Sequence, residues 1–339
     1  MKLCNGVRGR TAVGGGIRRS ALGVATVLGM ALGMAGTGVA TAAEDAEESV
    51  NETIRVGEHP RGVAFTPDGS HAYVTNRNDS TVSVIETAGN SVITTVPNVS
   101  TPHGVAVMPD GSHAYVTNEN DSTVSVIETA GNSVITTVAV GESPKGVAVA
   151  SDGAHAYVAT RAGLSVIETA GNTVTDTVPV PGAFGVAIAP DDSHAYVTTG
   201  GGVSVVETAR NTVTDTVPDV GPVNGVAVSP DGSRLYTTNA FDSTMSVIET
   251  AGNTVIDAVH TAGGPNEVAV SRDGSVAYVA NSTAGSVSLI RTAGNQLIGE
   301  VPAGSTPRGL AISPDGSFAY VTSGGHSENG TVSVIDIDR

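Results

Sequence analysis

Residues 62–99 read GVAFTPDGSHAYVTNRNDSTVSVIETAGNSVITTVPNV, and most of the chain is that stretch again. Tyr73, Tyr115, Tyr157, Tyr196, Tyr236, Tyr278 and Tyr320 mark the copies, 39 to 42 residues apart, and account for all seven tyrosines. A fixed period near forty residues denotes a repeat architecture whose units cannot bury their apolar faces alone. In the first copy, turn signals separate four strand-like runs at Gly62–Thr66, His71–Asn76, Thr81–Thr87 and Ser91–Val96. Pro67-Asp68-Gly69-Ser70 supplies a tight turn and Ala88-Gly89-Asn90 a short hairpin link. Val, Ile, Thr and Tyr fill the runs, as strands require.

The first run reads Gly-Val-Ala-Phe, and later Gly-Val-Ala-Val, without polar alternation. Such a run suits a strand covered on both faces. Four-stranded antiparallel sheets arranged round an axis provide that cover, each blade lying between two others. The predicted fold is all-β: a seven-bladed β-propeller with repeats starting near 62, 104, 146, 185, 225, 267 and 309. The chain ends at Thr331–Asp338 on a third strand, and the missing fourth appears at the other end as Ser49–Val56. The N-terminal strand is therefore expected to complete the last blade and close the ring. The repeated tyrosine is expected to pack between blades, with its hydroxyl bonded locally.

The motif at Tyr73-Val74-Thr75-Asn76 and Tyr115-Val116-Thr117-Asn118 resembles that of the YVTN family of β-propeller repeat proteins. It relaxes to YVAT, YVTT, YTTN, YVAN and YVTS in the other copies. The resemblance covers 49–339 and implies the propeller fold. It also implies extracellular, surface-layer-like or envelope company rather than a particular reaction, because fold alone does not set function.

The first 43 residues stand outside the repeats. They carry Lys2, Arg8, Arg10, Arg18 and Arg19, no acidic residue, an apolar run from Ala21 and a small-residue site at Ala40-Thr41-Ala42-Ala43. This pattern predicts a secretory signal peptide over 1–43 and a propeller over 44–339 that is secreted or associated with the cell envelope, with no membrane insertion after cleavage. Cys4, the only cysteine, lies in that leader, so no thiolate, disulfide or covalent haem site is expected beyond it. Without the leader, 11 basic residues face 33 acidic ones, a formal charge of −22. Nucleic acid is excluded as a partner by that balance, since phosphate backbones call for clustered Lys and Arg. No serine–histidine–aspartate order, phosphate loop or HExxH string occurs. With no Trp, the Trp-Asp dipeptide of the WD-like repeats and the Trp docking motifs of quinoprotein propellers are also missing.

Comparison between copies points to one site. The hairpin turns hardly vary and belong to one face of the disc, whereas the blade-to-blade crossings vary and belong to the other. The residue before the innermost strand runs Arg61, His103, Lys145, Phe184, Asn224, Asn266 and Arg308 round the ring. In circular order Arg308, Arg61, His103 and Lys145 form a basic arc on an acidic molecule. Glu267 replaces a glycine found in the other six copies, which puts a carboxylate near the channel and near Arg308. These residues predict a pocket for a small polar or anionic ligand, or alternatively a structural Glu267–Arg308 ion pair. Phe184 and Phe241, in adjacent blades, would offer an exposed aromatic pair to a protein partner. The long loop 323–330 brings His326 and Glu328 to the same face, where with His103 and Glu267 they would surround a divalent cation.

The leading expectation is a non-catalytic binding or interaction scaffold, using the variable face and channel mouth, with no cofactor and an envelope protein or small polar ligand as partner. The alternative is a metal-dependent lactonase or lyase acting on a small ester at the channel mouth. A third is a surface-layer or adhesive component that associates laterally.

Overall fold

The runs rich in β-branched residues form strands, and the Pro-Asp-Gly-Ser and Thr-Ala-Gly-Asn segments turn the chain between them. The computed structural model describes residues 48–218, 220–325 and 330–337. Blade 1 consists of β2 (Pro60–Phe65), β3 (His71–Asn76), β4 (Thr81–Glu86) and β5 (Ser91–Val96), paired antiparallel in that order. Blades 2 to 6 repeat the order over 102–139 (β6–β9), 147–178 (β10–β13), 186–217 (β14–β17), 226–260 (β18–β21) and 265–302 (β22–β25). Blade 7 holds β26 (Leu310–Ile312), β27 (Phe318–Ser323) and β28 (Thr331–Asp336), with β1 (Val50–Arg55) as its fourth strand. β1 pairs antiparallel with β28, Ile54 opposite Val332, so the N-terminal strand closes the ring as the sequence predicts.

Seven apolar clusters lie between blades rather than within them. Between blades 1 and 2, for example, Tyr73, Val82 and Val84 pack with Val105, Val116 and Ile127. At the seam, Ile54 packs with Tyr320 and Val332 of its own blade and Val74 of blade 1. The middle strands are buried almost throughout, whereas β5 and its equivalents expose most of their length at the rim.

Four of the seven tyrosine hydroxyls, those of Tyr73, Tyr115, Tyr278 and Tyr320, are bonded not locally but to the next blade. Tyr73 donates to Asn132 Oδ1 at 2.7 Å, and Tyr115 to Asn172 Oδ1 at 2.7 Å. Tyr320 donates to Asn90 across the seam. These asparagines end the Thr-Ala-Gly-Asn turns at positive φ (44° at Asn90, 49° at Asn132), which Asn tolerates better than most residues. One residue type thus shapes its own hairpin and binds its neighbour. Blade 7 has no such hairpin, and there Glu48, just ahead of β1, accepts the Tyr278 hydroxyl at 2.9 Å.

The threonine of the YVTN motif does the same nearer the axis. Thr75 Oγ1 accepts the Gly62 N–H at 2.8 Å and donates to the His103 carbonyl of blade 2 at 2.8 Å. Thr117, Thr198, Thr238 and Thr322 repeat this latch onto the carbonyls of Lys145, Asn224, Asn266 and Arg61. The approach is so close that a Cβ on Gly309 would lie 2.0 Å from the Arg61 carbonyl oxygen, which explains the glycine. Blades 3 and 6 have Ala159 and Ala280 in the threonine's place. In blade 3 the Gly146 N–H bonds the Phe184 carbonyl directly at 2.8 Å. In blade 6 the glycine has changed as well, to Glu267.

Candidate functional site

The residues before and within the innermost strands meet at one end of the channel. They line a cavity of about 200 Å³ that includes Arg61, His103, Phe184, Asn224, Asn266, Glu267 and Arg308. Its floor is apolar, with Val63, Val105, Val147, Val186, Val226 and Leu310 contributed by blades 1 to 5 and 7. A bulge in β2, between Pro60 and Val63, sets the mouth side chain off the regular ladder, and β6 and β22 carry the same bulge. Arg61, His103 and Asn266 therefore sit within strands, while Lys145, Phe184, Asn224 and Arg308 lie just ahead of the innermost strand of their blades, tied by backbone bonds such as the Arg308 N–H to the Thr322 carbonyl at 2.9 Å.

Arg61 and Arg308 converge closely enough that each feels other guanidinium groups. Burial, then Arg308 and Arg77, brings Arg61 down to about 10. Burial, then Arg77, also lowers Arg308. The Nε atoms of both arginines are shut off from solvent and have no hydrogen-bond partner among the described residues. Two buried donors on like-charged groups are costly unless an anion meets them.

His103 is part of the arc in place but not in charge. Burial and the surrounding Arg61, Lys145, Arg77 and Arg308 hold its imidazole well below the usual histidine range, so it is neutral at physiological pH. Its ring meets the edge of Phe184 at 5.9 Å between centroids and 89° between planes. Lys145 leans the same way, its Nζ 4.3 Å from the Phe184 centroid, a cation–π contact. Phe184 is accordingly a half-buried wall of the cavity. It is not half of an exposed aromatic pair, and only Phe241, 83 % exposed, has that character.

Glu267 lines the cavity but makes no ion pair with Arg308 among the described residues. The carboxyl is pushed up to about 7 by burial, eased only by the Val268 N–H. Sequence reading missed two residues at the rim, Arg77 and Glu119. They follow the YVTN motif in blades 1 and 2 and form an inter-blade ion pair, Arg77 Nη2 to Glu119 Oε2 at 2.9 Å. Comparing the residue after each motif (Arg77, Glu119, Arg161, Gly200, Ala240, Ser282 and Gly324) would have revealed them. His326 and the leader at 1–43 lie outside the described residues.

Of the four residues expected round a divalent cation, His326 and Glu328 lie outside the described residues. The cavity offers one carboxylate, one imidazole and two amides, facing two guanidinium groups that repel a cation. Among the described residues no three of His, Cys, Asp and Glu gather for a metal.

The family comparisons agree with the propeller fold. A model described as a YNCE-like beta-propeller matches residues 4–156, and one described as Lactonase, 7-bladed beta-propeller matches residues 202–339. The chain is a seven-bladed β-propeller similar to both. Among solved structures, this propeller is similar to Kuenenia stuttgartiensis Hydrazine Synthase at 22% identity and a TM-score of 0.75, covering 83% of this chain and 97% of that one. At that identity the likeness concerns fold alone. No curated protein matches.

Proposed function

We propose that this propeller is a secreted or envelope-associated YVTN-type binding scaffold that takes a small anionic ligand at its channel mouth, without catalysis. The observation that carries this is the pair of convergent, half-buried guanidinium groups, Arg61 and Arg308, whose buried Nε donors lack partners among the described residues. The formal charge of the whole chain is −17, so a local cationic cavity on it concentrates an anion where the rest of the surface repels one. The lactonase-model match over 202–339 supports the alternative of a metal-dependent lactonase or lyase. Among the described residues the donor set argues against it.

Isothermal titration with propionate, phosphate and sulfate tests the proposal. At least one anion is expected to bind saturably at one site, and Arg308→Ala is expected to weaken it tenfold or more, with Phe241→Ala unchanged. Saturable binding that survives Arg308→Ala and Arg61→Ala, or none at all, refutes it.

A further inference from the structure

The mouth residues divide by charge into two sides. Blades 7, 1, 2 and 3 contribute Arg308, Arg61, His103 and Lys145, while blades 4, 5 and 6 contribute Phe184, Asn224, Asn266 and Glu267. Both sides line one cavity, with Lys145 at its rim, yet among the described residues Glu267 and the arginines form no ion pair. A pocket for a simple anion has no use for this carboxylate, which would repel the ligand it is meant to hold. The carboxylate also occupies the one place in the ring where a glycine and its latching threonine have been exchanged together, for Glu267 and Ala280.

We propose that the channel mouth is built for a small zwitterion, an α-amino acid or a molecule of the same charge pattern. Its carboxylate lies on Arg61 and Arg308, and its ammonium faces Glu267 and the amides of Asn224 and Asn266. This rests on the anion-binding reading and adds the second charge. Charge-assisted hydrogen bonds at both ends would satisfy the orphaned Nε donors and the unpaired carboxylate together. The cavity of about 200 Å³ limits the guest's size, since it holds roughly seven waters at about 30 Å³ each. The valine floor and the Phe184 wall accept a short apolar side chain.

The test titrates the full chain at pH 8 with glycine, alanine and leucine, each beside the carboxylate lacking its amino group: acetate, propionate and 4-methylpentanoate. At least one amino acid is expected to bind tenfold or more tighter than its counterpart. Glu267→Gln is expected to erase that preference without weakening the plain carboxylate, and Arg308→Ala to weaken both. Lowering the pH from 8 to 5.5 neutralises Glu267, so the amino acid loses affinity and the plain carboxylate keeps or gains it. Of the other groups that face the cavity, Arg61 stays charged over that range, Arg308 is lowered by burial and Arg77, and His103 is held well below the usual histidine range by burial and the surrounding cations. Lys145 at the rim is lowered by burial, with Glu119 raising it and Arg61 and Arg77 lowering it further. Equal affinity for both members of every pair, with Glu267→Gln silent, overturns the zwitterion and leaves the anion site standing. Failure of every probe, with Arg308→Ala silent, overturns both.

Discussion

Replacing Glu267 by Gln should stabilise the protein in alkali and leave it unchanged in acid. Burial holds the Glu267 carboxyl at about 7, against an ordinary value of 4.5. At about 1.4 kcal/mol per tenfold change in proton affinity, keeping it ionised costs the folded state about 3 kcal/mol. The folded state binds the proton more tightly than the unfolded chain. The penalty is therefore absent below about pH 4.5, grows as pH rises, and is complete above about pH 7. Gln keeps the shape and removes the charge. An unfolding entropy of about 0.6 kcal/mol/K for a chain of this size converts the penalty to about 5 °C in melting temperature. Scanning calorimetry of the ligand-free protein and Glu267→Gln at pH 4, 6, 7 and 8.5 should show the gap open from zero to about 5 °C. A variant that melts below the parent at pH 8.5 refutes the reasoning, because the carboxylate would then be held by a cation such as Arg308.

Two further outcomes follow from the ring. Thr75→Val removes the acceptor of the Gly62 N–H and the donor to the His103 carbonyl, so a loss of about 2 kcal/mol or more is expected in urea unfolding; a change under 0.5 kcal/mol would show that the latch is incidental. At the seam, Ile54→Ala should cost about 2–5 kcal/mol because Ile54 is buried, whereas Ile93→Ala on the exposed rim should cost under about 1 kcal/mol, and equal losses would refute the closing role of β1.

The blades, their number and the closing strand were legible because one copy contains its own turns and the chain supplies seven copies for comparison. The mouth positions were legible for the same reason, framed by the glycine that follows six of the seven. Side-chain direction there was not. Lys145 and His103 lean onto Phe184 because of where blade 4 stands relative to blades 2 and 3, and no single repeat encodes that. The Tyr73 hydroxyl finds Asn132 fifty-nine residues away for a related reason: registry between blades comes from packing, not from local pattern. Arg77 and Glu119 escaped because they are unlike one another, and only their opposition across a blade interface gives them meaning.

The hydroxyl links described between blades all point one way round. Thr75 and Tyr73 bind blade 2, Thr322 and Tyr320 bind blade 1, Tyr278 binds Glu48 ahead of the closing strand, and between blades 3 and 4 a backbone bond from the Gly146 N–H to the Phe184 carbonyl takes their place. An open array of repeats has two end units, each held on a single side, and it frays from those ends. This ring has no end unit. Releasing any blade means parting it from two neighbours at once, so loss of the structure has no inexpensive first step. A protein built this way resists slow unfolding by the height of that first barrier, whatever its equilibrium stability.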